Sequence, residues 1–362
     1  MTGTALITGH AGFIGFHVAQ RLLAAGWKVV GVDNFNDYYD VALKHSREAR
    51  LSGCSELTAL KGDIHQPGLL QGLFRQHRPN VVIHLAAQAG VRASIENPRP
   101  YFDSNLAGSF ELLEAARQFP PRHLMMASTS SAYGANTTFP YAETQRADWP
   151  MSFYAATKKA TEVMAHGHAH IYGLPITLFR FFTVYGPWGR PDMAPMKFTR
   201  AILEGRPIDV YNHGRMKRDF TFIDDLVDGI VALMDAPPSL PQNRTDDAPD
   251  FDSLSPVAPH RMVNIGNNQP VELMDFIAAL EQALGQKAKM NFKGMQPGDV
   301  HATWADTQLL QHLTGFQPKT SVQDGVPRLV RWYREHYAKA SDPAAFASTG
   351  SAPTQFRSTM KG

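Results

Sequence analysis

The sequence predicts an α/β fold: a doubly wound parallel sheet with helices on both faces, followed by a smaller C-terminal lobe. Three observations carry that prediction. Short β-branched runs alternate with amphipathic helical stretches through the first half of the chain, the rhythm of repeated strand–helix–strand units. The strand runs are almost continuously apolar, as in Val81-Val-Ile-His-Leu85, which suits a sheet buried on both faces. A glycine-rich turn, Gly9-His-Ala-Gly12-Phe13-Ile14-Gly15, follows the first run at once and opens the first helical stretch.

The elements follow in order. Ala5 to Thr8 reads as the first strand, and the glycine turn leads from it into a helix over Phe13 to Ala25. Val29 to Val32 is the second strand, with Asp33 at its end, and a third ends at Asp63 within Gly62-Asp63-Ile64. A helix over Leu69 to His77 precedes the fourth strand, Val81 to Leu85. Leu106 to Gln118 then reads as a helix, His123 to Ala127 as a strand, Phe153 to Tyr172 as a helix and Ile176 to Phe179 as a strand. After Phe182 the rhythm breaks into Gly/Pro-rich loops and shorter elements, the pattern of a lobe that closes over a ligand. Residues 1–182 therefore read as a nucleotide-binding unit of Rossmann-like type, with a later returning segment at about 219–265. Residues 183–218 and 266–338 read as the substrate lobe. Residues 237–260, rich in Pro, Asp and Ser, read as an inserted loop, and 340–362 as a disordered tail.

Composition narrows the class of function. The chain has 362 residues and a net charge of +2, so no strong field draws it to nucleic acid or to an anionic membrane. A bound anion must be met by local basic residues. Cys54 is the single cysteine, in the polar stretch Leu51-Ser-Gly-Cys-Ser-Glu56, which excludes an internal disulfide and points to a reducing compartment. The first residues run directly into a strand, leaving no room for a signal peptide, and no apolar run has membrane-spanning length. The expectation is a soluble, cytoplasmic protein.

The glycine turn permits close approach of backbone to a diphosphate, and a helix N-terminus there favours negative charge. The cofactor set predicted around it comprises Gly9, Gly12, Phe13, Ile14, Gly15, Asp33, Asn34, Asp63, Ile64, Leu85, Ala86, Ala87 and Gln88. Asp33 can accept hydrogen bonds from an adenosine ribose and would repel a 2′-phosphate, which selects NAD over NADP. Asp63 can reach the adenine. Leu85-Ala86-Ala87-Gln88 supplies small side chains where backbone passes the cofactor.

Tyr154-Ala-Ala-Thr-Lys158, preceded by Ser128-Thr129-Ser130-Ser131, is the chemical core of the chain. Positions i and i+4 share a helix face, so phenol and ammonium can converge on one reacting atom. A nearby cation would lower the tyrosine pKa, and Thr129 could hydrogen-bond the same substrate oxygen. That trio suits proton removal from an alcohol during its oxidation. Tyr-x-x-x-Lys alone arises often by chance; it gains meaning only beside the glycine turn.

Together these residues resemble the extended short-chain dehydrogenase/reductase superfamily, over about Gly3 to Tyr337 apart from the inserted loop. Within it the chain is most similar to the UDP-glucuronate 4-epimerases. The similarity rests on Asp33-Asn-Phe-Asn-Asp-Tyr-Tyr-Asp40, Ala89-Gly-Val-Arg92, Arg180-Phe-Phe-Thr-Val-Tyr-Gly-Pro-Trp-Gly-Arg-Pro-Asp-Met193, Lys217-Arg-Asp-Phe-Thr-Phe-Ile-Asp-Asp225 and Gln296-Pro-Gly-Asp299. The resemblance implies an NAD-dependent isomerase in which Tyr154 takes the proton of the sugar 4-hydroxyl. Lys158 would stabilise the phenolate and bind the nicotinamide ribose, Thr129 would share the hydroxyl, and UDP-glucuronate and UDP-galacturonate would interconvert through a 4-keto sugar. It also implies a homodimer through the helices over 106–118 and 153–172, and a place in polysaccharide biosynthesis.

Related 4,6-dehydratases carry acidic residues after the threonine, and related decarboxylases a glutamate at the position of Ser131. Neutral Ser130 and Ser131, with Thr183, therefore imply a carboxylate held without loss of CO₂. Arg218 matches the family's diphosphate arginine. Arg190 and Lys197 are candidates for diphosphate or carboxylate, and Asp299 for the uridine ribose; surface charge is the competing reading for each. Arg92 lies in the substrate loop with no partner assigned. A neutral-sugar 4-epimerase, a UDP-glucuronate decarboxylase and a non-catalytic NAD-sensing regulator remain as alternatives. His166, His168 and His170 invite a metal reading, but lack a carboxylate motif; no metal site is expected. His84 reads as a satisfied core residue, and Tyr185 and Trp188 as loop packing rather than a uracil stack.

Overall fold

A computed structural model describes residues 2–240, 249–296 and 298–340. The strands are β1 (Thr4–Thr8), β2 (Lys28–Asp33), β3 (Leu57–Lys61), β4 (Val81–His84), β5 (His123–Ala127), β6 (Ile176–Phe181), β7 (Thr183–Tyr185), β8 (Ile208–Val210), β9 (Lys217–Phe222), β10 (His260–Ile265), β11 (Pro270–Glu272) and β12 (Met290–Phe292). The helices are α1 (Phe13–Ala24), α2 (Val41–Leu51), α3 (Leu69–His77), α4 (Val91–Glu96), α5 (Arg99–Tyr101), α6 (Gly108–Gln118), α7 (Phe153–Tyr172), α8 (Ala194–Leu203), α9 (Ile223–Leu233), α10 (Leu273–Leu284), α11 (Gln308–Thr314) and α12 (Val322–Ala340).

Strand side chains alternate between faces, and here both faces are covered. Leu6, Val30, Val82, Leu124 and Leu178 point to one side and pack with Leu73 and Phe74 of α3, Leu112 of α6 and Ala165 of α7. Ala5, Ile7, Val29, Ile83, Met125 and Phe179 point to the other, against Phe16 and Leu22 of α1, Leu43 of α2 and Leu226 of α9. Each such side chain fully withdrawn from water contributes about 1.5–3 kcal/mol. Among the described residues, seven parallel strands result, in the order β10-β6-β5-β4-β1-β2-β3. Thr8 stands opposite both Val32 and His84, so the strands end in register at one edge. Chain order reverses between β1 and β4, where crossovers to opposite faces open a crevice at the carboxyl ends.

Local signals set the helices that face this crevice. The Ser152 hydroxyl caps α7 by accepting from Ala155 N at 3.1 Å, and Gly173, at φ +66°, ends it. Asp40 caps α2 in the same way through Ala42 N at 2.9 Å. Beyond β6, the three strands β11-β9-β7 and the pair β12-β8 form two smaller sheets, while β10 returns to the large one. Phe220 of β9 stacks on Phe276 of α10 at 4.1 Å, with Tyr185 edge-on to both. The buried Asp219 carboxylate accepts from Asn267 N at 2.6 Å and from Asn268 N and Ala305 N at 3.1 Å, tying three segments together.

Some expected bounds shift. The helix foreseen from Leu106 starts in a π-helical turn, Phe102–Ala107, that runs into α6. The helix α2 was not foreseen. Of the inserted stretch 237–260, residues 241–248 lie outside the described residues; the rest has no helix or strand before β10 begins at His260. Its second part is anchored: Asp252 forms a buried two-bond pair with Arg261 at 2.9 Å, and Ser255 bonds His166 of α7 at 2.8 Å. The predicted tail beyond 340 also lies outside the described residues. Among those described, no helix is long and apolar enough to cross a membrane.

Candidate functional site

The crevice is a cavity of about 1180 Å³. Every candidate cofactor, catalytic and substrate residue of the sequence analysis lines it, from Gly9 of the first turn to Asp299. Residues around the large sheet and residues of the smaller sheets therefore line one space.

At its floor the glycine turn connects β1 to α1. Gly9 sits at φ +76°, and a Cβ there would stand 2.8 Å from Ala86 N; one on Gly15 would stand 2.0 Å from the Gly9 carbonyl. Gly12, the N-cap of α1, gives no side-chain cap, so the first amides of Phe13 and Ile14 open to the cavity. Leu85 N and Ala86 N donate to Thr8 Oγ1 at 3.2 and 3.1 Å, which draws the β4 end, with Ala87, close over the turn. Gln88 is pinned in turn: its amide donates to Asn105 Oδ1 at 2.9 Å and its carbonyl accepts from Asn105 Nδ2 at 3.0 Å. Asp33 ends β2 with one oxygen held by Phe35 N at 2.8 Å. Asn34 donates to Asp63 at 2.9 Å, and Ile64 packs beside it. Burial works to raise the Asp63 pKa, but the Asn34 amide and the His65 backbone and ring hold it below the ordinary value. An open helix terminus, a carboxylate at the second strand and a close-packed fourth strand fit a dinucleotide whose ribose carries free hydroxyls.

Deeper in, Thr129 caps a 3₁₀ turn, Ser130–Tyr133, accepting from Ser131 N at 3.1 Å. Ser130 and Ser131 line the cavity there, across from Thr183 of β7. The Tyr154 hydroxyl hydrogen-bonds Thr129. Lys158 is 4 % exposed and donates to the Ala127 carbonyl at 2.9 Å. Its pKa falls to about 8, because burial disfavours the ammonium more than the Glu162 charge favours it.

Here the structure corrects the sequence reading. Tyr154 was expected to have a pKa lowered by Lys158; burial instead raises it, opposed by the Thr129 bond and the charge of Arg190. The Lys158 ammonium donates to the Ala127 carbonyl, and the charge that favours the phenolate comes from Arg190, in the loop after β7. Arg190 pairs with Asp192, donates to Ala89 O at 3.1 Å and lies against the rings of Tyr38 and Tyr39.

At the outer end Arg92 finds the partner that sequence could not assign. It bonds Asp299 at 2.9 Å and stacks over Tyr211 at 4.3 Å. Arg218 donates to the carbonyls of Lys217 and His301 at 2.8 and 3.3 Å, and Lys197 of α8 stands exposed on the wall. Tyr185 and Trp188 are buried outside the cavity, Trp188 against Phe16 and Trp332. His84 shares a hydrogen bond with Thr8 at 2.7 Å; burial, then the Lys158 charge, drop its pKa to about 3, so it is neutral. His166, His168 and His170 bond Ser255, Glu114 and the Val257 carbonyl separately.

Sequence reasoning missed Lys44. It lies 4 % exposed on α2, lines the cavity and donates to Asn36 O and Oδ1 at 2.8 Å. The Asp40 cap and the spacing Leu43, Arg47, Leu51 were the available signal.

Residues 5–246 match the model of the NAD dependent epimerase/dehydratase family. The chain belongs to that family. A protein of Rhizobium meliloti (strain 1021) described as a probable UDP-glucuronate 4-epimerase is 55 % identical over 335 residues, 92 % of this chain and 98 % of the relative. UDP-glucuronate 4-epimerase 4 of Arabidopsis thaliana is 46 % identical over 94 % of this chain and 78 % of its own. Among solved structures of the family's fold, the UDP-glucuronic acid 4-epimerase from Bacillus cereus, in complex with UDP-glucuronic acid and NAD, superposes with a TM-score of 0.81. It is 32 % identical, with 92 % of this chain and all of that one covered.

Proposed function

We propose that the protein is an NAD-dependent UDP-glucuronate 4-epimerase that interconverts UDP-glucuronate and UDP-galacturonate through a 4-keto sugar. The observation that carries this is the neutral rim of Ser130, Ser131 and Thr183 around the Tyr154–Thr129 pair. Three hydroxyls can hold a sugar carboxylate by hydrogen bonds without protonating or repelling it. An acid in their place would favour elimination or decarboxylation.

The glycine turn and the first amides of α1 hold the cofactor diphosphate, Asp33 and Asn34 the adenosine ribose, Asp63 and Ile64 the adenine, and Leu85 to Gln88 the inner backbone wall. NAD bound there would supply a reversible hydride acceptor for the sugar C4. Tyr154 takes the 4-hydroxyl proton and gives it back. Thr129 and Arg190 favour the phenolate against the cost of burial, and Lys158 orients the nicotinamide ribose. Arg218 and Lys197 neutralise the UDP diphosphate; Arg92 and Asp299 close on the uridine end. The same proposal makes the protein a cytoplasmic homodimer supplying acidic sugar for polysaccharide synthesis. Its support is the exposed apolar row on α6 and α7, with Phe110, Val163 and Ile171 outward.

Incubation of purified protein with UDP-glucuronate and no added NAD⁺, followed by NMR of the sugar, tests the reading. The expected outcome is an equilibrium mixture with UDP-galacturonate. Accumulation of UDP-pentose and CO₂ points to a decarboxylase, and turnover of UDP-glucose alone to a neutral-sugar epimerase; either sinks it. Tyr154→Phe should keep NAD and lose about 10²–10⁴-fold in kcat; a wild-type protein that binds NAD and turns over no UDP-sugar would fit a regulator.

A further inference from the structure

Glu162 takes no part in the reaction as written. It lies one helical turn beyond Lys158 on α7 and is 4 % exposed, buried behind the cavity wall. Its carboxylate accepts from Ser128 Oγ at 2.7 Å and from Arg180 Nε and a terminal nitrogen at 2.9 and 2.8 Å, with Lys159 at 3.3 Å. Arg180, on β6, also lies over the Tyr133 ring at 4.4 Å. Glu162 thus joins α7 to β6 and to the residue after β5, and Arg180 extends the link to the 3₁₀ turn.

Two consequences meet at the reacting centre. Ser128 sits between Ala127, whose carbonyl takes the Lys158 ammonium, and Thr129, which bonds Tyr154. Its bond to Glu162 therefore fixes both. Glu162 is also the acid among the cations Lys158, Lys159 and Arg180. The other titratable groups facing them are His84 on β4 and His260 on β10, both held neutral by burial, the phenols Tyr133 and Tyr154, and the Glu143 carboxyl near Arg180, which burial pushes up to about 8 and so keeps mostly protonated at neutral pH. Without that acid, Lys158 and Arg180 would be two buried cations with nothing to balance them, and only the lysine can shed its proton.

We propose that Glu162 is a positioning residue for the epimerase chemistry, keeping Lys158 charged and, through Ser128, fixing the strand end that carries Thr129. The inference rests on the reaction proposed above and extends it by one layer.

The decisive variant is Glu162→Gln, which keeps the shape and removes the charge. A neutral neighbour lets the ammonium release its proton at lower pH, so the alkaline limb of kcat should move down by about one pH unit. Glu162→Asp should restore most of the shift. Arg180→Met should move the limb upward, because the carboxylate then balances one cation fewer; this arm serves if Glu162→Gln does not fold. Titration of the Lys158 Nζ by ¹⁵N NMR in lysine-labelled protein, assigned with Lys158→Met, reads the same shifts without turnover. A folded Glu162→Gln protein with limb and Nζ titration unmoved overturns the proposal, as does a downward shift in Arg180→Met. If the wild-type protein leaves UDP-glucuronate unchanged, the reaction falls, and the Nζ titration still decides the case of Glu162.

Discussion

Asp33 and Lys44 face the same end of the cavity with opposite charges. Asp33 keeps one oxygen for Phe35 N, while Lys44 is tied to Asn36, and burial, despite the nearby Asp33, lowers its pKa. A 2′-phosphate arriving there would meet the carboxylate first. Asp33→Ser removes the repulsion and leaves the ammonium, so the preference for NAD over NADP should narrow by about tenfold, the worth of one close charge in a partly screened site. Competition of the two dinucleotides for cofactor-stripped protein measures it, and an unchanged ratio would show that the ring walls, not the charge, select. Asp33 was legible because its meaning is local to a strand end after a glycine turn. Lys44 and Glu162 were not: each looks like a solvated helix charge until the tertiary fold buries it.

At the scale of elements, the segment around Asp219 shows what ties the three-stranded sheet to its neighbours. Three backbone amides from 267, 268 and 305 converge on one carboxylate at the start of a three-stranded sheet. Asp219→Asn keeps the volume but turns one acceptor into a donor aimed at those amides, at a cost of about 2–4 kcal/mol. Denaturant unfolding should report that loss, and a change below about 0.5 kcal/mol would mean that the amides find other acceptors. The parallel sheet itself was readable, since the runs at 81–85 and 123–127 are apolar on both faces. The helix α2 was hidden because its inward face carries Lys44 and Arg47, the latter fully buried and bonded to the carbonyls of Ala11 and Trp188. A helix whose buried stripe contains two cations does not register as amphipathic. The start of α6 was blurred for a different reason: its π-helical turn departs from the regular period over Phe102–Ala107.

For the whole molecule, a cavity of about 1180 Å³ is larger than one drug-sized ligand needs, which suits a dinucleotide and a nucleotide sugar held together. Val163 and Ile171 on α7 are 63 % and 69 % exposed, and the proposed dimer would cover them. Sedimentation should give twice the mass of one chain, and Val163→Glu with Ile171→Glu should halve it while leaving the fold intact. A wild-type protein that sediments as one chain at micromolar concentration would remove the dimer. That the glycine turn and the downstream basic residues share one cavity could be read from motif order; the bond of Arg92 to Asp299 could not, because those residues are 207 positions apart.

The sheet edge has a consequence for biosynthesis. As the chain leaves the ribosome, β1 to β6 are complete by residue 181, yet β6 waits for its neighbour until β10 emerges at 260–265. For that interval a strand destined to be buried along its whole length presents an unpaired rim to the crowded cell. The pairing of Asp252 with Arg261 helps hold β10 in place, so slow codons or helper proteins would matter most over those eighty residues of delay, about four to sixteen seconds of synthesis.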